Sequence, residues 1–151
     1  MLDINQMQNA ENVWGVTWKF EDESFDTLKT IAEEHSYKAG ATVFNEGDAA
    51  DGMYLILEGA ALIIRKTATG EERTVAIITE GQSFGEIGLL VERPRQATAA
   101  AGTDLKVLKI TRAGLELLHR SAPDMAFMMY QTLARSLAEQ LLQTEEMKRP
   151  S

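Results

Sequence analysis

At 151 residues and 44% hydrophobic content, the chain holds enough apolar side chain for one compact core. A net charge of -8 argues against broad contact with a nucleic-acid backbone, which needs many Lys and Arg on one face. With no cysteine, disulfides, thiolate metal sites and cysteine nucleophiles are all excluded. A single bound phosphate stays within reach, because one well-placed Arg and a few backbone N–H groups suffice for it whatever the global charge.

The start, "MLDINQMQNAENVWG", has neither a basic segment leading into an apolar run nor a small-residue cleavage site. No stretch approaches the roughly 20 apolar residues that a spanning helix needs. The expectation is a soluble, cytoplasmic protein with no membrane contact. Residues 1–23 show no sustained period and read as an N-terminal arm, although they carry Trp14 and Trp18. Those tryptophans either pack on the domain's own surface or form a docking segment for a partner.

Ser24 to Glu34, "SFDTLKTIAEE", places Phe25, Leu28, Ile31 and Ala32 on one face, with Ser24 as the cap and Asp26 in the first turn. This predicts a short amphipathic helix. The period then changes. "TVFN", "MYLILEG", "ALIIRKT", "RTVAIIT", "QATAAA" and "LKVLKI" are short apolar or β-branched runs, separated by "EGDAADG", "EGA", "TATGEE" and "TEGQ". Six strands with no crossover helix between them predict a mainly β fold, an antiparallel jelly-roll β-barrel flanked by an N-terminal helix and C-terminal helices.

From Thr111 the pattern is helical again. "TRAGLELLHRS" offers Thr111 as cap with Leu115, Leu118 and His119 on one side, and Pro123 sits where a last helix opens. That helix, about Pro123 to Met147, carries a stripe of Met125, Met129, Tyr130, Leu133, Leu137, Leu141 and Thr144, suited to packing on the barrel or pairing with a second copy. "MAFMMY", residues 125–130, is either core filler or a movable lid. The domain is expected to run over residues 24–147, with 148–151 as a tail.

One stretch stands apart from this scaffold. "SFGEIGLLVERPRQAT", residues 83–98, sets glycines, an acid and two arginines in an otherwise apolar run. Ser83 and Gly85 can open one helical turn whose first N–H groups, near Glu86 and Ile87, have no intrahelical partner and can face an anion. Arg95 follows nine positions after Glu86, where a planar guanidinium could clamp two oxygens of one phosphate. Glu86 is awkward beside a phosphate unless it serves a ribose hydroxyl, which donates to a carboxylate. The alternative is a structural ion pair between Glu86 and Arg95 on a folded loop. Arg93 reads as a solvated neighbour that could brush the phosphate.

"FGEIGLLVERPRQAT" resembles the phosphate-binding cassette of the cyclic nucleotide-binding domain family, at Phe84, Gly85, Glu86, Leu89, Leu90, Arg95, Ala97 and Thr98. Upstream, "FNEGDAADGMYLILEGAALI" is similar to the family's hairpins, with Gly47, Asp48, Tyr54 and Gly59 in place. The likeness covers residues 24–140. It implies that Arg95 pairs with the cyclic phosphate and that Glu86 accepts the ribose 2'-hydroxyl. The N–H groups of Glu86 and Ala97 would complete the cradle, with the base between barrel and C-terminal helix.

The ligand-contact residues are therefore expected to be Phe84, Gly85, Glu86, Ile87, Leu89, Arg95, Gln96 and Ala97. Gln96, where relatives often have Ala or a hydroxyl residue, leaves base selectivity open, and Gly88 stands where Ala is common.

His35 and His119 are the only imidazoles. Neither falls in an expected strand, so the converging His set of a metal-binding jelly roll is not expected. No nucleophile elbow, P-loop or dinucleotide fingerprint is present, and no cofactor is expected. The reading is a regulatory sensor of cyclic AMP, or less favourably cyclic GMP, that acts in signal transduction through a protein effector or a homodimer formed by the C-terminal helix. With only residues 148–151 after that helix, no room is expected for a DNA-binding or catalytic domain. A non-binding adaptor of the same fold is the alternative; an enzyme using Glu86 as base ranks below it, because no second acid-base group accompanies it.

Overall fold

A computed structural model describes residues 14–148 of the chain. Among these residues, nine strands form two antiparallel sheets. The first, ordered β1 (Val16–Thr17), β7 (Gln82–Phe84), β4 (Gly52–Glu58), β9 (Leu105–Thr111) and β2 (Glu33–Tyr37), faces the helices on one side. The second, ordered β3 (Thr42–Phe44), β8 (Thr98–Ala101), β5 (Ala61–Lys66) and β6 (Glu72–Ile78), covers its other side. Four helices complete the fold: α1 (Asp22–Ile31), α2 (Ile87–Leu90), α3 (Arg112–Ser121) and α4 (Pro123–Lys148). The expected class holds, but the two sheets face each other without closing into a barrel.

The alternation of side chains along the central strands divides the core in two. On β4, Tyr54 and Ile56 turn toward the second sheet and meet Ile63, Ile78, Phe84, Ala97, Ala99 and Val107. Met53 and Leu55 turn the other way and meet Leu28, Leu108, Ile110, Leu115, Leu118, Met129 and Leu133. A strand buried on both faces reads as a continuous apolar run, which is why "MYLILEG" shows no polar alternation.

The first helix differs from its expected limits. It begins at Asp22, with Glu21 rather than Ser24 at the N-cap, and stops at Ile31 because Ala32 takes an extended conformation. Residues 33–37 then form β2, each paired with β9, so His35 lies opposite Val107 in a strand and not at a helix end. "EEHSY" has little intrinsic strand character. Its register comes from the edge it joins, reinforced by the Lys106–Glu34 ion pair at 3.2 Å.

The part of the expected arm that lies within the described residues is not detached. Val16 pairs with Ser83, and Trp18, 6% exposed, enters the core beside the helices. Trp18 thus packs within the domain; residues 1–13 and 149–151 lie outside the described residues. At the other end, Thr111 caps α3 as its sequence predicts, its Oγ1 accepting from the Gly114 N–H at 3.0 Å. His119 is exposed, away from the buried Leu115 and Leu118. On α4 the stripe is buried at Met125, Met129 and Leu133, while Tyr130 and Leu141 face outward. Met125 and Met129 are core residues of the helical layer.

Candidate nucleotide-binding site

The cassette is built from four short pieces. Strand β7 ends at Phe84, which stacks on Tyr54 with ring centroids 5.3 Å apart and planes 11° from parallel. Gly85 turns the chain at φ +78°, a conformation that disfavours any side chain. Glu86 is the N-cap of the single-turn helix α2. Val91 leaves the turn in an extended conformation, and Pro94 then bridges to Ala49. Two backbone bonds, Gly47 N–H to the Arg95 carbonyl and Arg95 N–H to the Asp48 carbonyl, both 2.8 Å, fix Arg95 against the β3–β4 turn.

That anchoring aims the guanidinium back beneath the glycine turn. Arg95 donates through Nη1 to the Gly85 carbonyl at 3.1 Å and through Nη2 to the Gly52 carbonyl at 2.9 Å. Its Cζ lies 4.1 Å from the centroid of the Phe44 ring. Nε is buried with no hydrogen-bond partner among the described residues. Burial lowers the pKa of this guanidinium, opposed by Tyr54, Asp51, Glu86 and Asp48. Its nearest carboxylate is Asp51, 3.9 Å away and itself held by Lys109 at 3.1 Å.

Glu86 does not form the structural ion pair with Arg95 that the sequence left open. Its Oε1 accepts from the Ser83 hydroxyl at 2.6 Å, and Ser83 Oγ in turn accepts from the Trp18 indole N–H at 2.7 Å. Glu86 as a whole is 7% exposed. Burial raises its pKa to about 7, against the opposing pull of Ser83, its own backbone N–H and the Arg95 charge.

Around these groups opens a cleft with a cavity volume of about 80 Å³. Phe84, Gly85, Glu86, Ile87, Arg95, Gln96 and Ala97 all line it, as does Arg93. Leu89 does not. It is 4% exposed and packs with the helical layer, because the single turn of α2 points successive side chains in different directions.

Several lining residues were not among the expected contacts: Trp14 from the N-terminal segment, Phe44 and Ala50 from the β3–β4 region, Ile63 from β5, and Leu137 and Gln140 from α4. Gly88 is explained by space. A Cβ there would lie 2.6 Å from the Ala50 Cβ and 3.0 Å from Arg95 Nη1. Arg112 was also missed; from the start of α3 it donates to the carbonyls of Gly88 at 3.0 Å and Val91 at 3.4 Å, tying α2 to the helical layer.

A buried cation with an unused donor, a buried acid beside it and a cleft between them form a site for a molecule carrying both an anion and a hydroxyl. The family model described as "Cyclic nucleotide-binding domain" matches residues 34–121. The chain is 33% identical over 117 residues to the cyclic AMP receptor protein of Thermus thermophilus, covering 78% of this chain and 54% of that protein. It is 42% identical over 79 residues to the cAMP-dependent protein kinase regulatory subunit of Yarrowia lipolytica, 52% of this chain and 20% of that one. The crystal structure of the Thermus thermophilus catabolite activator protein superposes with a TM-score of 0.74 at 31% identity, over 85% of this chain and 60% of the other. The chain therefore spans about half or less of the length of these curated relatives. With more than half of its residues matched and the cassette assembled around Arg95 and Glu86, the chain belongs to the cyclic nucleotide-binding domain family.

Proposed function

We propose that this domain is a regulatory sensor of a cyclic nucleotide, with cyclic AMP preferred over cyclic GMP. The observation that carries the reading is Arg95. A buried guanidinium held by two carbonyls, with Nε unpartnered and no carboxylate closer than 3.9 Å among the described residues, keeps charge to give to a phosphate. In this reading the cyclic phosphate meets Arg95 and the N–H groups of Glu86 and Ala97, and the ribose 2'-hydroxyl donates to Glu86. The base lies toward Gln96, Leu137 and Gln140, beneath α4. The names of the relatives, a cyclic AMP receptor and a cAMP-dependent kinase subunit, support the adenine nucleotide.

The chain binds and orients in this reading and performs no catalysis. Phosphate drawn to the Gly85 turn shifts α2, and Leu89 together with the Arg112 link passes that shift to α3 and α4. The ligand moves this balance only by its differential affinity for the two arrangements. Output then leaves through a protein effector or a second copy at α4, where Phe127 and Leu141 are 63% and 62% exposed, with no direct contact to DNA. Those exposed side chains also favour the adaptor of the same fold that binds partners without nucleotide.

Calorimetric titration of nucleotide-free protein with cyclic AMP and cyclic GMP decides between them. The sensor binds cyclic AMP at micromolar Kd or tighter, about 8 kcal/mol, and cyclic GMP more weakly. Folded protein that gives no heat and an unchanged melting temperature at high ligand refutes it in favour of the adaptor.

A further inference from the structure

The Trp18–Ser83–Glu86 chain of hydrogen bonds lies wholly inside the protein, with the three residues 6%, 0% and 7% exposed. Its polarity is forced from one end. An indole N–H only donates, so Ser83 Oγ must accept from Trp18, and the single hydroxyl proton of Ser83 is left to the Glu86 carboxyl. That proton is directed at Oε1, and in the reading above Oε2 is the oxygen left for a hydroxyl in the cleft.

The indole is itself held firmly. Its residue's N–H donates to the Gly81 carbonyl at 3.0 Å, and its ring stacks on Phe20 with centroids 5.4 Å apart and planes 6° from parallel. Strand β1 keeps the two segments together by pairing Val16 with Ser83.

We infer that Ser83 and Trp18 are positioning residues for ribose recognition, orienting the Glu86 carboxyl so that the domain prefers a ribose ring over a 2'-deoxyribose ring. The inference rests on the reading in which Glu86 accepts the 2'-hydroxyl. Two features support a role beyond filling the core. The Ser83 bond opposes the burial that pushes Glu86 toward its neutral form, so it favours the carboxylate that accepts a hydroxyl proton. The relay also reaches back through β7 to the N-terminal segment, so the geometry of the acid depends on two residues, Ser83 and Trp18, that do not line the cleft themselves.

The test is a titration of wild type, Ser83→Ala and Trp18→Phe with cyclic AMP and with 2'-deoxy cyclic AMP, each variant first shown to melt cooperatively. Trp18→Phe retains an aromatic ring against Phe20 while removing the donor and part of the ring volume, so the relay remains testable if Ser83→Ala fails to fold. Wild type is expected to favour the ribose form about tenfold. Both variants are expected to weaken cyclic AMP roughly five- to tenfold, the effect of one typical hydrogen bond, and to leave the deoxy analogue within about twofold.

Equal weakening of both ligands would show a structural role alone and overturn the inference. So would a ribose preference retained in both variants, which leaves the sensor reading intact. A wild type that binds both ligands equally removes Glu86 from the ribose and overturns the inference at its base, while one that binds neither overturns the sensor reading as well.

Discussion

Glu86→Gln tests the electrostatics of the site without any ligand. The carboxyl titrates near 4.5 when exposed and is raised to about 7 in the fold, chiefly by burial. Between those values the folded chain holds a proton that the unfolded chain has released, so stability falls as pH rises through the interval. Each pH unit between the folded and unfolded pKa corresponds to about 1.4 kcal/mol. Ionised Glu86 therefore costs the unliganded fold about 3 kcal/mol above neutral pH and nothing at acid pH.

The glutamine variant keeps an oxygen for the Ser83 hydroxyl and removes the titration. Urea unfolding of both proteins from about pH 4 to about pH 8.5 is expected to give a stability difference that moves in favour of the variant by roughly that amount, with the change complete above pH 7. Subtraction removes every other titrating group common to both chains. Parallel curves, with a difference flat to within about 0.5 kcal/mol, would show that burial of Glu86 is relieved and would refute the reasoning.

Three further outcomes follow from the geometry. Arg95→Ala should weaken cyclic AMP binding by roughly 2 to 5 kcal/mol, the cost of breaking a buried charge pair, and Arg95→Lys should not restore it. A single ammonium cannot reach both the Gly85 and Gly52 carbonyls from over the Phe44 ring as the forked guanidinium does; calorimetry gives both values. Gly88→Ala should lower stability by about 1 to 3 kcal/mol through overpacking, because its new methyl meets Ala50 and Arg95; chemical unfolding measures it. Thr111→Ala should cost about 1 kcal/mol by removing the cap on the Gly114 N–H, read from the same curves and with the cassette left in place.

Much of the site was legible because its parts are close in the chain. Gly85, Glu86 and Arg95 fall within one stretch, and the glycine turn, the acid and the planar cation each declare their chemistry locally. The six apolar runs between Thr42 and Ile110 likewise mark strands whose side chains fill a core from both faces, and Thr111 marks the start of α3 by its own hydroxyl.

The short edge strands were not legible. Val16–Thr17 and Gln82–Phe84 hold too few residues to show a period, and Glu33–Tyr37 is too polar to resemble a strand. Each exists because a neighbour's unpaired backbone groups required partners. The same pairings decided the surroundings of the acid and the cation. Ser83 and Trp18 stand 65 positions apart and meet only because β1 lies beside β7; Gly52 meets Arg95 across 43 positions because the β3–β4 turn folds over the cassette. Sequence by itself determined which functional groups the site contains. Tertiary structure alone decided that the serine bonded to Glu86 is itself held by the Trp18 indole, because partners on neighbouring strands are chosen by register and not by separation along the chain.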